Sequence, residues 1–386
     1  MSLLNNSHIH HFFRNKEMNQ FYIAIAIMSF GEALISIFVP IYFFKLGYNI
    51  PEIIGFYFIN SLSFVLLSFF GAKIVSKIGI NHSILASIPF LIAYYIGLKF
   101  ISSQPTLFFI LPIILAINMI FYNYGYHLNF VTNANKKEIG KEMSFMRAAS
   151  MVMYTIAPFI GGILAYYNFA LLYLAGSIIV ILAAIPLIMT KDKSKRLRFS
   201  SKDIFKSIFS KKDKGTILSF AGYAIESIIG RIIWPIFLII ILFTTEKTGF
   251  TIMLSTLLSI MVFYLIGYLT DTYNKMKLLK IGTLLYSIGW LIRIFADSFY
   301  KIIIVDSYKN ITEKILGIPW GAHCYELADK KGQFRFIVTR EIVFNLTRVF
   351  FLPILIAVFI FTKNPFVYSF GIAAVASLGY AMIDKK

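Results

Sequence analysis

Charge is what this sequence has least of. Only 14% of its 386 residues are Asp, Glu, Lys or Arg, against roughly 25% in a typical soluble domain. Acids are the scarcer sign, 18 against 37 basic residues. Cys324 is the single cysteine, which excludes an internal disulfide and any cysteine-based metal site. The sequence also lacks a Gly-rich phosphate loop ending in Lys and Ser or Thr, so nucleotide hydrolysis is not its expected drive. It lacks any polar stretch long enough for an extramembrane catalytic domain; the longest is 190–215.

What fills the chain instead is hydrocarbon. Hydrophobic residues make up 58% and mean hydropathy is +0.76, so lipid rather than water is the expected solvent. A bilayer core needs about 20 largely apolar residues per helix. On that ruler the first half gives spans at 21–44, 53–71, 84–101, 107–131, 145–166 and 169–189. The second half gives 216–243, 251–269, 281–297, 300–322, 337–361 and 366–383. The run from Phe21 is too long for a signal-peptide core and is expected to be a retained helix. The tenth span carries Asp306, Lys309, Glu313 and Lys314, yet the first three share one helical face opposite Ile303, Ile304, Ile311, Ile315 and Ile318. Such a helix spans if its polar stripe faces protein or a watery cavity.

The net charge of +19 would suit a nucleic acid, but its distribution points to topology. Arg14, Lys16, Lys73, Lys77, Lys136, Lys137, Lys141, Arg147, Lys275, Lys277, Lys280, Lys330, Lys331, Arg335, Arg340, Lys385 and Lys386 fall on one side. The central loop adds Lys191, Lys193, Lys195, Arg196, Arg198, Lys202, Lys206, Lys211, Lys212 and Lys214. The other side has only Lys45, Lys99, Lys247, Lys301 and Lys363. The positive-inside rule then puts both termini in the cytoplasm. The chain divides into a bundle at 1–189, a basic linker at 190–215 with a short surface helix at Ile204–Phe209, and a bundle at 216–386. His8, His10 and His11 belong to a flexible tail on this reading, not to a metal site.

The halves repeat. Ala72-Lys-Ile-Val-Ser76-Lys77-Ile-Gly79 follows the second span, and Gly267-Tyr-Leu269-Thr-Asp271-Thr-Tyr-Asn-Lys275 follows the eighth, 195 positions later. A glycine lets helices approach closely, and Asp271 can cap a helix or pair with a lysine to latch one conformation; the alternative is an ordinary solvated turn. Pro158, Gly161 and Gly162 in the fifth span remove a backbone bond and admit a neighbouring helix. They read as a hinge sealing one end of a cavity or, equally, as a packing motif.

On these residues the chain resembles the major facilitator superfamily. The second loop is similar to that family's Gly-x-Leu-x-Asp-x-x-x-Arg/Lys signature, while the first departs from it, with Ser76 where the family usually has Asp. The fifth-span motif is similar to one common among proton-coupled exporters. The resemblance implies an all-α fold of two six-helix bundles about a pseudo-two-fold axis, with spans one, four, seven and ten lining the cavity between them. Candidate pathway residues are then Glu32, Asn118, Asn123, His127, Glu226, Arg231, Asp306, Lys309 and Glu313. Glu341, Asn345 and Arg348, on one face of the eleventh span, complete the set. Glu32 or Glu226 is the candidate proton carrier; the alternative is that the second-half charges are structural ion-pair networks. Tyr122, Tyr124 and Tyr126 line a ligand path or anchor at an interface.

The expected function is secondary transport of a small solute across the cytoplasmic membrane, by alternating access and with proton-coupled export as one form. The expected protein is a monomer in lipid, without cofactor, metal or nucleic acid, and is not an enzyme. Two alternatives stand beside it. One is a non-transporting sensor or assembly factor on a carrier scaffold, and the other is a membrane-embedded transferase.

Overall fold

The computed structural model describes residues 16–133, 139–189, 197–272 and 274–384, with side chains left undescribed at 16–19, 133, 139–151, 261–265, 267 and 270–272. His8, His10, His11, Arg14, Lys136, Lys137, Lys191, Lys193, Lys195, Arg196, Lys385 and Lys386 lie outside the described residues, as do the side chains of Lys141, Arg147 and Asp271. No strand occurs among the described residues, and helices take up nearly all of them. In chain order they are α1 (Lys16–Ile35), α2 (Phe38–Lys45), α3 (Ile50–Ile78), α4 (Ile80–Phe100), α5 (Leu107–Asn133), α6 (Ile139–Tyr167) and α7 (Phe169–Ile188). The linker forms α8 (Ser201–Ile208). The second half is α9 (Lys214–Leu242), α10 (Thr245–Thr272), α11 (Lys275–Ile292), α12 (Phe299–Lys331), α13 (Gln333–Phe361) and α14 (Pro365–Ser377).

All twelve spans expected from hydropathy are present, α1 and α2 together forming the first. Among the described residues, nine are long and apolar enough to cross a membrane by length and composition alone; α6, α10 and the charged α12 are not among those nine. The first span breaks at Ser36–Ile37 because Pro40 has no amide to bond the Ser36 carbonyl. The ninth begins six residues before its hydropathy boundary, since Asn274 accepts from the Met276 and Lys277 amides and starts the helix among lysines. Along α7 the exposed stripe is Leu171, Leu174, Ile178, Ile181, Ile185 and Ile188, whereas Gly176, Ser177, Val180 and Ala183 face inward. Bulk outside and small residues inside is what lipid asks for.

Five packings inside the first half recur in the second. The pairs α1–α6, α1–α7, α3–α5, α4–α5 and α4–α7 correspond to α9–α13, α9–α14, α10–α12, α11–α12 and α11–α14. Between the halves, α6 packs on α10 and α3 on α13, again as images of each other. This is a pseudo-two-fold arrangement. An even number of crossings brings Thr216 beside Asp384, whose Oδ2 accepts from its amide at 2.8 Å. We call this the linker end, and the opposite one the far end. At the linker end α8 is capped by Ser200, which accepts from the Asp203 amide at 3.2 Å, and buries Ile204 and Ile208 while Phe205 and Phe209 stay exposed.

At the far end, α6 is wedged between α1 and α10 at backbone distance. A methyl added at Gly162 would meet the Thr245 carbonyl at 2.5 Å, and one at Gly161 would collide with the Leu34 carbonyl. Gly249 faces the Pro158 carbonyl just as closely. A bulky side chain here must push the halves apart, and overpacking of this kind costs about 1–3 kcal/mol. Gly162→Leu is therefore expected to lower the thermal unfolding temperature in detergent and to raise solvent access of a cysteine placed at Phe159. A variant as stable and as closed as the native chain would show that this crossing is not tight.

Candidate functional site

The halves meet at the linker end through side chains. His127 Nδ1 lies 2.8 Å from the Tyr325 hydroxyl, and the Phe130 ring packs on the Tyr325 ring at 4.5 Å between centroids. Asn123 Nδ2 donates to Glu341 Oε2 at 3.0 Å, and the Thr132 hydroxyl donates to Gln333 Oε1 at 3.2 Å. Every one of these contacts joins α5 of the first half to α12 or α13 of the second. Glu341 is the hub, because its other oxygen accepts from Arg340 Nη2 at 2.8 Å and from Nε at 3.1 Å. Arg340 is buried, though its place in a basic stretch reads as a loop charge.

Between the two ends, near the middle of their helices, lies a second polar group. Glu32 Oε2 accepts from the Tyr154 hydroxyl at 3.2 Å, and the Tyr122 and Tyr126 rings stack at 5.6 Å. Tyr122 also stands within electrostatic reach of Glu32. Across from them, Arg348 Nη2 donates to the Ser227 hydroxyl at 3.1 Å, with Nη1 at 3.5 Å from Asn345 Oδ1. Arg231 sits one turn beyond Ser227 on the same face of α9. Its guanidinium is exposed and lies within electrostatic reach of Tyr57 and Tyr94 in the first half and of Arg348 in its own.

Other candidates are placed inside one half. Asn118 is buried and donates to the Ser87 carbonyl at 2.9 Å, tying α5 to α4. Glu226 is buried among Tyr286, Trp290 and Tyr380, which donate to it at 2.5, 3.2 and 2.9 Å. Asp306 accepts from Arg293 Nη2 at 2.8 Å and from the Ser255 hydroxyl at 2.7 Å. Arg293 is 1% exposed and its guanidinium lies between Trp234 and Trp290, at 3.8 and 4.2 Å from the ring centres. Lys309 pairs with Glu313 at 2.7 Å along α12. The helical-face argument thus puts Asp306 and Lys309 on one stripe of α12, but each has a separate partner. Sequence reasoning left Arg293, Arg340, Tyr154 and Tyr325 outside the site; the i, i+3 spacing of Trp290 and Arg293 was the one local signal for any of them.

The two repeated loops differ. Ala72 is buried, Lys77 is exposed, and the Ser76 hydroxyl is turned back onto the Lys73 carbonyl at 2.8 Å. The Ser76 carbonyl meanwhile accepts from the Leu197 amide of the linker. Gly79, at φ +92°, lets α3 turn into α4 within one residue. In the second loop Lys275 pairs with Glu326 of α12, and Leu269 is half-buried. The cluster continues through His323, whose Nδ1 is 3.7 Å from Glu326 Oε2. Among the described residues no three His, Cys, Asp or Glu side chains are grouped to hold a metal.

A family model described as Major Facilitator Superfamily matches residues 129–322. The fold resembles the Escherichia coli fucose:proton symporter FucP, solved as a single-residue variant, with a TM-score of 0.68 and 13% identity over 95% of this chain and 97% of that one. It resembles the human organic anion transporter MFSD10 (TETRAN) equally, with a TM-score of 0.68 and 9% identity over 95% and 99%. A sequence comparison with curated proteins finds no match.

Removing one partner from a buried ion pair costs about 3–5 kcal/mol, because the other charge is left bare. Asp306→Ala is expected to destabilise by that order in equilibrium unfolding, and Asp306→Ala/Arg293→Met by less than Asp306→Ala alone. An Asp306→Ala loss no larger than that of a surface alanine would remove this pair from the structural framework.

Proposed function

The chain belongs to the major facilitator superfamily, and on that premise we propose that it is a secondary transporter that moves a small solute by alternating access. The moving bodies are 1–189 and 216–386, joined by the linker 190–215. The observation that carries this reading is the placement of polar groups between two seams. A side-chain seam closes the linker end, a backbone seam closes the far end, and Glu32, Tyr154, Tyr122, Arg231 and Arg348 lie between them. A solute held there is reached from one side when the first seam opens and from the other when the second does.

The seams differ in a way that suits such a cycle. Asn123–Glu341, His127–Tyr325 and Thr132–Gln333 are exchangeable hydrogen bonds, which water replaces when the linker end opens. The Gly162–Thr245 crossing is van der Waals packing, held or lost as a unit. Pro158, Gly161 and Gly162 make this a hinge region, and their similarity to a motif common among proton-coupled exporters is the ground for an outward direction of transport. Lys275, with Glu326, and the Ser76–Leu197 contact brace the loops against which the halves rock. With the positive-inside rule, the linker end is cytoplasmic and the membrane is the cytoplasmic one.

Glu32 is the proposed proton carrier. Among the described residues no cation of its own half pairs with it, and its hydrogen-bond donor is a tyrosine. Glu226, by contrast, is sequestered inside the second half by three donors and is assigned a structural role. In proteoliposomes with an imposed pH gradient, Glu32→Gln is expected to reduce gradient-driven flux to the level of protein-free vesicles while leaving solute binding measurable. Flux that still tracks the gradient in Glu32→Gln would take the proton off this residue.

A further inference from the structure

We propose that Arg231 and Arg348 together form the receptor for the acid group of an organic anion, so that the transported solute carries a carboxylate or a phosphate. The inference rests on the transporter reading and names its substrate class.

Several cations of the second half have a carboxylate partner. Arg293 has Asp306, Arg340 has Glu341, Lys309 has Glu313 and Lys275 has Glu326. Arg348 has only neutral acceptors: the Ser227 hydroxyl, the Asn345 amide oxygen and, at 3.5 Å, the Ala224 carbonyl. For Arg231 no carboxylate stands within ion-pair distance among the described residues. Among the described residues neither of these two has a carboxylate within ion-pair distance, and Arg231 lies within electrostatic reach of Arg348.

Their geometry suits one ligand. Arg348 reaches α9 at Ser227, one turn from Arg231, so both guanidiniums lie along the face that α9 turns to the first half. Each guanidinium presents donors in a planar fork that fits two oxygens of a carboxylate or phosphate. Two like charges within electrostatic reach of each other repel. An anion between them removes that repulsion. Among the described residues the nearby carboxylates each have other hydrogen-bond partners. Glu226 accepts from Tyr286, Trp290 and Tyr380, Glu341 from Arg340 and Asn123, and Glu32 from Tyr154. From the first half, Tyr57 and Tyr94 lie within electrostatic reach of Arg231.

The test uses matched probes that differ in charge alone: succinate against succinamide, and glucose 6-phosphate against glucose. Thermal unfolding of the detergent-purified full chain is read against each, with sulfate as a minimal oxyanion. The expected result is protection by at least one acid and by sulfate, with none from the neutral partners. Arg231→Gln and Arg348→Gln should each weaken the apparent affinity tenfold or more, and Arg231→Lys should recover part of it. Arg231 is exposed, so its variants keep the test informative if Arg348→Gln fails to fold. Equal protection by the neutral probes, unchanged acid protection in Arg231→Gln, or silence from every anion would each overturn the proposal. Flux of neutral or cationic solutes through native proteoliposomes, unaffected by Arg231→Gln, would overturn it while leaving the transporter reading intact.

Discussion

A charge inside hydrocarbon has no water to fall back on, so each one must find a partner in the protein or a ligand from outside it. Most of this molecule's second half is arranged around that requirement. Arg293 is held by Asp306 and two tryptophan faces, Arg340 by Glu341, and Glu226 by a ring of three donors. These groups sit at junctions of α9, α11, α12, α13 and α14, so satisfying them also fixes how those helices meet. The first half achieves the same rigidity with uncharged bonds. Asn60 donates to the Pro112 carbonyl, Ser83 to that of Phe121 and Asn118 to that of Ser87. Among the described residues, salt bridges tie helices of the second half, and amide and hydroxyl bonds tie helices of the first, although their helix packings correspond.

The transporter reading asks the two halves to move against each other. When neither bundle deforms easily, a change of shape is confined to the surfaces between them. Those surfaces differ at the two ends, with exchangeable side-chain bonds at one and glycine-mediated backbone contact at the other. The break at Ser36–Ile37 adds a third element. It separates α2 from α1, and α2 packs against α9 across the halves. A short segment with a proline-made break on one side and a turn at Gly47 on the other can follow α9 without dragging the rest of α1.

The fold was largely legible because its cause is one-dimensional: apolar runs, their length, and the sign of the loops between them. Even the charged α12 was recoverable, since Asp306, Lys309 and Glu313 keep a helical period. The site was legible only in part. Residue type and depth marked Glu32, Arg231, Glu341 and Arg348, but no sequence pattern tells a charge with a partner from one without. Arg340 looked like a loop lysine's equivalent until its carboxylate neighbour appeared, and Arg293 looked like one cation among many. Tyr154 and Tyr325 gave no signal at all, because their roles depend on which helix they face. Pairing is a property of packing between elements distant in sequence, and that is where the sequence alone runs out.

The same limit applies to the fold as a guide to cargo. A scaffold shared by a sugar:proton symporter and an organic anion transporter, at the same TM-score, does not choose between their substrates. The solute class proposed above rests on electrostatics instead. On that proposal, a neutral solute would leave Arg231 and Arg348 without an ion-pair partner, whereas Arg293, Arg340, Lys309 and Lys275 each have one. An amphipathic cation would add a third positive charge. An acidic solute is the one this proposal favours. The uncompensated charge, more than the architecture that carries it, is therefore the feature from which the solute should be sought.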